Sequence, residues 1–319
     1  MPADKTHCLV TGATGYIGGR LVPSLLERGH AVRALARDPD KLAGVDWRDR
    51  VEVARGDLGD PDSLAEAFDG MDVVYYLVHS MGSSKDFVAA EAESARNVVD
   101  AARRAGVKRL VYLGGLHPSG VELSPHLRSR VAVGEILLDS GIETAVFQAG
   151  IVIGSGSASF EMMRHITNRL PAMTTPKWVH NKIQPISIDD VLYYLAEAAT
   201  AELPASRTWD IGGPDALEYG EAMQVYAREA GLRRRIIIAI PFLTPTIASL
   251  WIGLVTPMPP GLARPLIESL EVDAVMDDHD IDAVIGPPPG GLTGYRDAIA
   301  KALEQGPLPN DPRWAQVGR

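Results

Sequence analysis

Along the first half of the chain, short apolar runs alternate with stretches whose apolar positions recur every three or four residues. HCLVTG (7–12) predicts a strand, YIGGRLVPSLLERG (16–29) a helix stopped by Gly29, and HAVRALAR (30–37) a second strand. VEVAR (51–55) is a further apolar segment, followed by a predicted helix at DSLAEAFDG (62–70) and a strand at DVVYYLVH (72–79). A long helix, FVAAEAESARNVVDAARRAG (87–106), then leads to the strand RLVYLGG (109–115), the helix HLRSRVAVGEILLDSG (126–141) and the strand TAVFQAG (144–150). Strand, helix, strand at these spacings implies right-handed crossovers and a parallel sheet covered on both faces, a Rossmann-type doubly wound α/β fold.

After Gly150 the alternation loosens into IVIGSGSASFEMMRHITNRLP, QPISIDDVLYYLAEAA, RTWDIGG and EYGEAMQVYAREAG. This divides the chain into a dinucleotide-binding domain over residues 1–153 and a smaller C-terminal substrate lobe over 154–319, interleaved with the sheet edge. There is no fixed-period repeat, and GPPPGGLTG (286–294) is a turn-rich connection before a last helix, YRDAIAKALEQG.

Gly12, Gly15 and Gly18 sit between the first strand and the first helix. Gly12 permits a tight turn, Gly15 lets the backbone approach a pyrophosphate, and Gly18 lets the helix pack closely on the sheet. Thr14 lies inside the turn, and the free N–H groups near Tyr16 and Ile17 point at the anion. At the end of the second strand, where NAD-selective proteins present a carboxylate to the ribose, stands Arg37. A guanidinium there pairs with a 2'-phosphate, and Lys41 or Arg33 adds charge, so NADP(H) is favoured over NAD(H). The competing reading has Arg37 solvating a loop while Asp38 takes the acidic role. In GDL (56–58), Asp57 is placed to accept from an adenine amino group and Leu58 to cover the ring, while Leu77, Val78 and His79 end the fourth strand beside the cofactor track.

Charge narrows the partners. The formal net charge of -10 repels polyanions and gives no support to a nucleic-acid surface. Cys8, the one cysteine, lies in an apolar run, so a buried thiol and a reducing cytoplasm are expected. The N-terminus lacks the pattern of a secretory signal. The uncharged stretch 236–258 is interrupted by Pro241, Pro245 and Pro257, so no transmembrane span is expected. A buried segment, a substrate mouth, an oligomer contact or a membrane-surface contact fits it better. MDDHDID (276–282) lacks the spacing of a calcium loop and predicts a solvated acidic turn, so no metal is expected. GSGSASF is a helix entrance rather than a nucleophile elbow, and WVHNK (178–182) is either a pocket wall or a surface loop. The doublets Tyr75–Tyr76 and Tyr193–Tyr194 read as packing.

TGATGYIGG, GDL, the strand ending YLVH and the later QPISIDDV together resemble the extended and atypical short-chain dehydrogenase/reductase superfamily, in particular its NmrA-like and YbjT-like NAD(P)H-binding members. The resemblance implies a Rossmann-type domain with a dinucleotide across the strand ends and a small substrate lobe; it implies no particular substrate. Typical members carry Tyr-x-x-x-Lys on the helix after the fifth strand, with a hydroxyl residue at that strand's end. Aligned through Ser129, Gly134 and Glu135, this chain has His126 at the tyrosine position, Arg130 at the lysine position, and Gly114 and Gly115 in place of the hydroxyl residue. His126 and Arg130 share one helical face, and the guanidinium is expected to lower the imidazole pKa. His79 and His117, at strand ends, compete for a proton-transfer role.

Two functions follow from this site. One is an NADP(H)-dependent reductase moving hydride to a small apolar carbonyl, imine or activated alkene, with His126 or solvent supplying the proton. The other is a non-catalytic NAD(P)H-binding redox sensor or assembly protein. A sugar-nucleotide epimerase ranks below both, because that chemistry in the superfamily relies on the missing tyrosine.

Overall fold

The computed structural model describes residues 5–79, 87–240, 256–308 and 311–317. Strands β1 (His7–Thr11) and β2 (Ala31–Ala36) flank helix α1 (Tyr16–Glu27). Next come β3 (Glu52–Arg55), α2 (Ala65–Phe68), β4 (Val73–Tyr76), α3 (Phe87–Ala105), β5 (Arg109–Gly115), α4 (Pro125–Leu138) and β6 (Glu143–Ala149). The second half contributes β7 (Val152–Ile153), α5 (Ala158–Arg169), β8 (Ala172–Thr175), β9 (Lys182–Ile183), β10 (Ile186–Ser187) and α6 (Ile188–Glu197). It continues with β11 (Arg207–Ile211), β12 (Leu217–Glu218), α7 (Tyr219–Glu229) and β13 (Ile236–Ala239).

The main sheet runs β11-β6-β5-β4-β1-β2-β3, every neighbouring pair parallel. The order reverses between β1 and β4, where doubly wound sheets open a crevice for ligands. Alternation along each strand sends side chains to two separate cores. Cys8, Val10, Tyr75 and Val111 pack toward α1 and α6, whereas Leu9, Val74, Tyr76 and Leu110 pack toward α2, α3 and α4. Cys8 is fully buried, and burial pushes its thiol up to about 12, as an inert core residue requires.

Residues beyond 153 enter the first core as well. β11 joins the sheet beside β6, and Val191, Tyr194 and Trp209 pack in the cluster under α1. The rest of the second half builds its own core from Phe160, Met163, Trp178, Tyr226, Ile267 and Ile299. The tyrosine doublets serve packing as expected: Tyr75 is buried and donates to the Leu195 carbonyl at 3.0 Å, and Tyr194 is 1% exposed.

Several local expectations change. The helix read over 62–70 splits into a 3-10 turn, Pro61–Ser63, and the one-turn α2, because Asp60 caps the tighter turn through the Asp62 N–H. The 276–282 turn is exposed at Asp277, His279 and Asp280, as a solvated acidic turn should be, and is also tied down: Asp278 and Asp280 hold Arg207, and Asp210 accepts the N–H groups of Asp277 and Asp278. Ser157 precedes α5 as a helix entrance should, but its hydroxyl donates to the Val152 carbonyl rather than capping the helix. Trp178 is 7% exposed and stacks edge-on to Tyr219, so WVHNK forms neither pocket wall nor surface loop at its aromatic. Helix Tyr295–Gln305 is not the last, since a single turn, Arg313–Gln316, follows. Most of the apolar stretch 236–258 lies outside the described residues; its first strand, β13, pairs with β8 and leaves Ile236 and Ile238 exposed. No helix of the described residues is long and apolar enough to cross a membrane.

Candidate active site

The turn between β1 and α1 is built to leave an open anion seat. Gly12 takes φ +72°, and a Cβ there would come within 2.7 Å of the Leu77 carbonyl oxygen. A Cβ on Gly18 would overlap the Gly12 carbonyl, so the helix can enter this close to the strand only with glycine at both places. Gly15 precedes α1 with no side-chain cap and no acidic residue in the first turn. The first N–H groups of the helix, from Tyr16, Ile17 and Gly18, therefore have no intrahelical partner and project where a diphosphate would sit. Thr14 and Gly15 are exposed beside them. Thr11 ties the floor of this seat together, its hydroxyl donating to the Tyr75 carbonyl and accepting the Leu77 N–H.

Arg37 and Lys41 are exposed just past the end of β2, and neither side chain has a hydrogen bond or ion pair among the described residues. Asp38 is occupied locally, capping the 3-10 turn Pro39–Leu42 through the Asp40 N–H. Arg33 lies within β2, bound to Glu52 and to the carbonyls of Ala67 and Asp69, so it adds no charge to this corner. Asp57 is exposed with one carboxylate oxygen accepting the Gly59 N–H. Leu58 is 5% exposed and packs with Leu64 and Phe68, so its side chain is core and not ready to cover a ring.

A cavity of about 380 Å³ opens between the strand ends and the second core. One side is formed by Gly15 to Gly18 and Leu77, Val78 and His79; Ile151, Met162, Ile183, Leu266 and Leu270 give the far side an apolar wall. Gly114 and Gly115 form the edge in between, and a Cβ on Gly115 would press on Leu127 at 3.0 Å and on the Arg130 Nε at 3.4 Å. The absence of a side chain at the end of β5 thus makes room for the guanidinium.

Helix α4 brings His126 and Arg130 to this cavity together, as their spacing predicts. Arg130 donates through Nη2 to the Leu113 carbonyl, while its buried Nε has no partner among the described residues. The buried hydroxyls of Tyr16 and Tyr219, also on the cavity wall, are unpartnered in the same way. Unpaired buried polar atoms are costly, and a ligand bearing acceptors relieves that cost. Burial pushes the His126 imidazole down to about 3, with His79 and then Arg130 adding to the effect and Glu91 opposing it. The guanidinium lowers it as expected, as the third cause. His79 is lowered as well, chiefly by burial. His117 faces a separate, smaller cavity with Gln148 and takes no part here.

Sequence reasoning missed Glu91, which contacts His79, and Tyr219. Glu91 carried a signal: it falls on the apolar stripe of α3 with Ala95, Val98 and Ala102. Among the described residues no group of three His, Cys, Asp or Glu side chains is placed to hold a metal ion.

Residues 12–150 match the NAD(P)H-binding family model, the stretch that builds the anion seat and one side of the cavity. This NAD(P)H-binding stretch fits the short-chain dehydrogenase/reductase superfamily. Over 117 residues the chain is 38% identical to cinnamoyl-CoA reductase 1 of Oryza sativa subsp. japonica, covering 34% of this chain and 34% of that enzyme. It therefore spans about a third of the length of that curated relative. The triphenylmethane reductase of Citrobacter sp., complexed with NADP(H), shares the fold at TM-score 0.71 and 20% identity, over 93% of this chain and 99% of that one. An NADPH-dependent quinone oxidoreductase of Escherichia coli, complexed with NADPH, matches at TM-score 0.72 and 20% identity, again over 93% and 99%. These structural likenesses are of fold.

Proposed function

We propose that this protein is an NADP(H)-dependent reductase that moves hydride to a small apolar carbonyl, imine or activated alkene. The observation that carries the reading is the cavity itself: one side is the glycine turn and strand ends, and the other is an aliphatic wall sized for a small molecule. The exposed, unpaired guanidinium of Arg37, with Asp38 committed to its own turn, supports the phosphorylated cofactor. Absence of the Tyr/Lys pair, with the resemblance in TGATGYIGG and QPISIDDV, supports placement among NmrA-like and YbjT-like members.

The residues fit a bound dinucleotide. The N–H groups of Tyr16, Ile17 and Gly18 would hold the diphosphate, Arg37 and Lys41 the 2'-phosphate and Asp57 the adenine, with Leu77, Val78 and His79 lining the way to the nicotinamide. The nicotinamide supplies hydride. Arg130 presents its free Nε to the ribose or the acceptor oxygen, His126 exchanges the proton, and Ile183, Leu266 and Leu270 exclude water and orient the acceptor.

NADPH oxidation by the purified protein across a panel of ketones, quinones, imines and enones tests this directly. Turnover of at least one apolar acceptor is expected, with His126→Ala and Arg130→Ala each lowering it about 10²-fold or more. Tight NADPH binding with no turnover across the panel contradicts the reading and favours a dinucleotide-binding sensor.

A further inference from the structure

Behind the cavity wall lies a chain of titratable groups drawn from three elements. Glu91 of α3 is 5% exposed. One of its carboxylate oxygens lies 2.8 Å from His79 Nδ1, and the other accepts the Ser129 hydroxyl. His79 Nε2 is in turn 3.1 Å from His126 Nδ1, the rings set edge to face with centroids 4.6 Å apart. These contacts engage three of the four imidazole nitrogens and leave His126 Nε2, on a ring that lines the cavity.

We propose that Glu91, His79 and His126 form a proton relay in place of the superfamily's tyrosine and lysine, with His126 meeting the substrate oxygen and Glu91 holding the proton between turnovers. The proposal deepens the reductase reading and rests on it. In reduction, the acceptor carbon receives hydride from the bound cofactor and the acceptor oxygen takes the proton of His126 Nε2. His126 Nδ1 takes a proton from His79 Nε2, and His79 Nδ1 takes the carboxyl proton of Glu91. Three bonds to hydrogen break along the relay and three form, both rings begin and end neutral, and the new negative charge on Glu91 balances the positive charge left on the oxidised cofactor; once product leaves, a solvent proton taken up at His126 Nε2 runs the relay back and restores the Glu91 carboxyl. His126 is the catalytic residue; His79 and Glu91 act through it.

The surroundings favour this route over donation from an imidazolium. Among the described residues the charged groups facing the two rings are Glu91 and Arg130, with the Ser129 hydroxyl on the carboxylate, and burial outweighs the help that Glu91 gives to positive charge. With burial pushing His126 down to about 3, a protonated ring is a minor species at neutral pH. A relay ending on a carboxyl never charges either ring.

The test uses full-length Glu91→Gln beside wild type, with two readouts. Histidine ¹⁵N spectra without substrate should show both rings neutral at pH 7 and a scalar coupling across the His126 Nδ1 to His79 Nε2 hydrogen bond, in both proteins, because glutamine keeps the shape. With NADPH and 4-nitrobenzaldehyde, Glu91→Gln should lose about 10²-fold or more in kcat at unchanged KM for NADPH. Wild-type kcat should fall as pH rises and the relay loses its stored proton, while the residual rate of Glu91→Gln stays flat. Independent titration of His126 near its ordinary value, with no coupling, overturns the relay whatever the activity. A coupled array with wild-type turnover matched by Glu91→Gln overturns the relay alone. A coupled array in a wild type inert toward 4-nitrobenzaldehyde and toward the whole acceptor panel overturns the reductase reading and takes the relay's role with it.

Discussion

His126 is held neutral at a position where the superfamily usually places a phenol. Its depressed pKa has a consequence for stability, because the unfolded chain binds a proton that the folded chain refuses. Between the ordinary histidine value of 6.5 and about 3, the unfolded state carries more protons, so stability falls as pH drops through that window. This one group contributes a slope of up to about 1.4 kcal/mol per pH unit. Urea unfolding of wild type and His126→Gln at pH 7 and pH 5 should show the wild type losing more on acidification; equal losses contradict the burial argument. The positions of His126 and Arg130 were legible because four-residue spacing fixes a helical face. The hydrogen bond to His79 was not, since its partners lie 47 residues apart in sequence. Glu91 was visible only as a charge on an apolar stripe, a pattern that says buried but not beside what.

At the scale of elements, α1 does more than open the anion seat. Arg20, one turn into the helix, makes a two-pronged pair with Asp311 at 3.0 and 2.7 Å and reaches the Ser155 carbonyl at 3.0 Å. The Asp311 carboxylate also accepts the Leu308 N–H, and Arg164 of α5 holds the carbonyls of Ala315 and Val317. The C-terminal segment is thus clamped onto the helix whose N-terminus opens the proposed anion seat. With Arg20 and Asp311 side chains only 15% and 6% exposed, Arg20→Met leaves a nearly buried carboxylate short of its main partner and should cost about 3 kcal/mol. Denaturant unfolding checks the magnitude, and limited proteolysis should cut the tail faster in the variant; an unchanged midpoint and cleavage pattern contradict the clamp. The helix itself was plain from its periodicity and its stop at Gly29, which takes φ +85°. Its tail contact was not, because a four-residue turn such as Arg313–Gln316 leaves no periodic signal and a lone arginine does not name a partner 291 positions away.

For the whole molecule, alternation of strands and helices was enough to foresee a parallel doubly wound sheet, since that connectivity has few right-handed solutions. RTWDIGG, read as interleaved with the sheet edge, does extend it as β11 beside β6, but the alternation did not foresee that Met162, Ile183 and Leu270 would meet in one wall, because those residues come from separate elements brought together by the second core. The account as a whole turns on which dinucleotide the open side of the sheet accepts. Isothermal calorimetry of the wild type with NADPH and with NADH, repeated on Arg37→Ala, measures this most directly. NADPH should bind more tightly by about 10-fold or more, and Arg37→Ala should remove most of that difference while leaving NADH unaffected, as expected for a charge-assisted contact of about 1.5–3 kcal/mol. No heat with either nucleotide, or a preference for NADH in the wild type, contradicts the account.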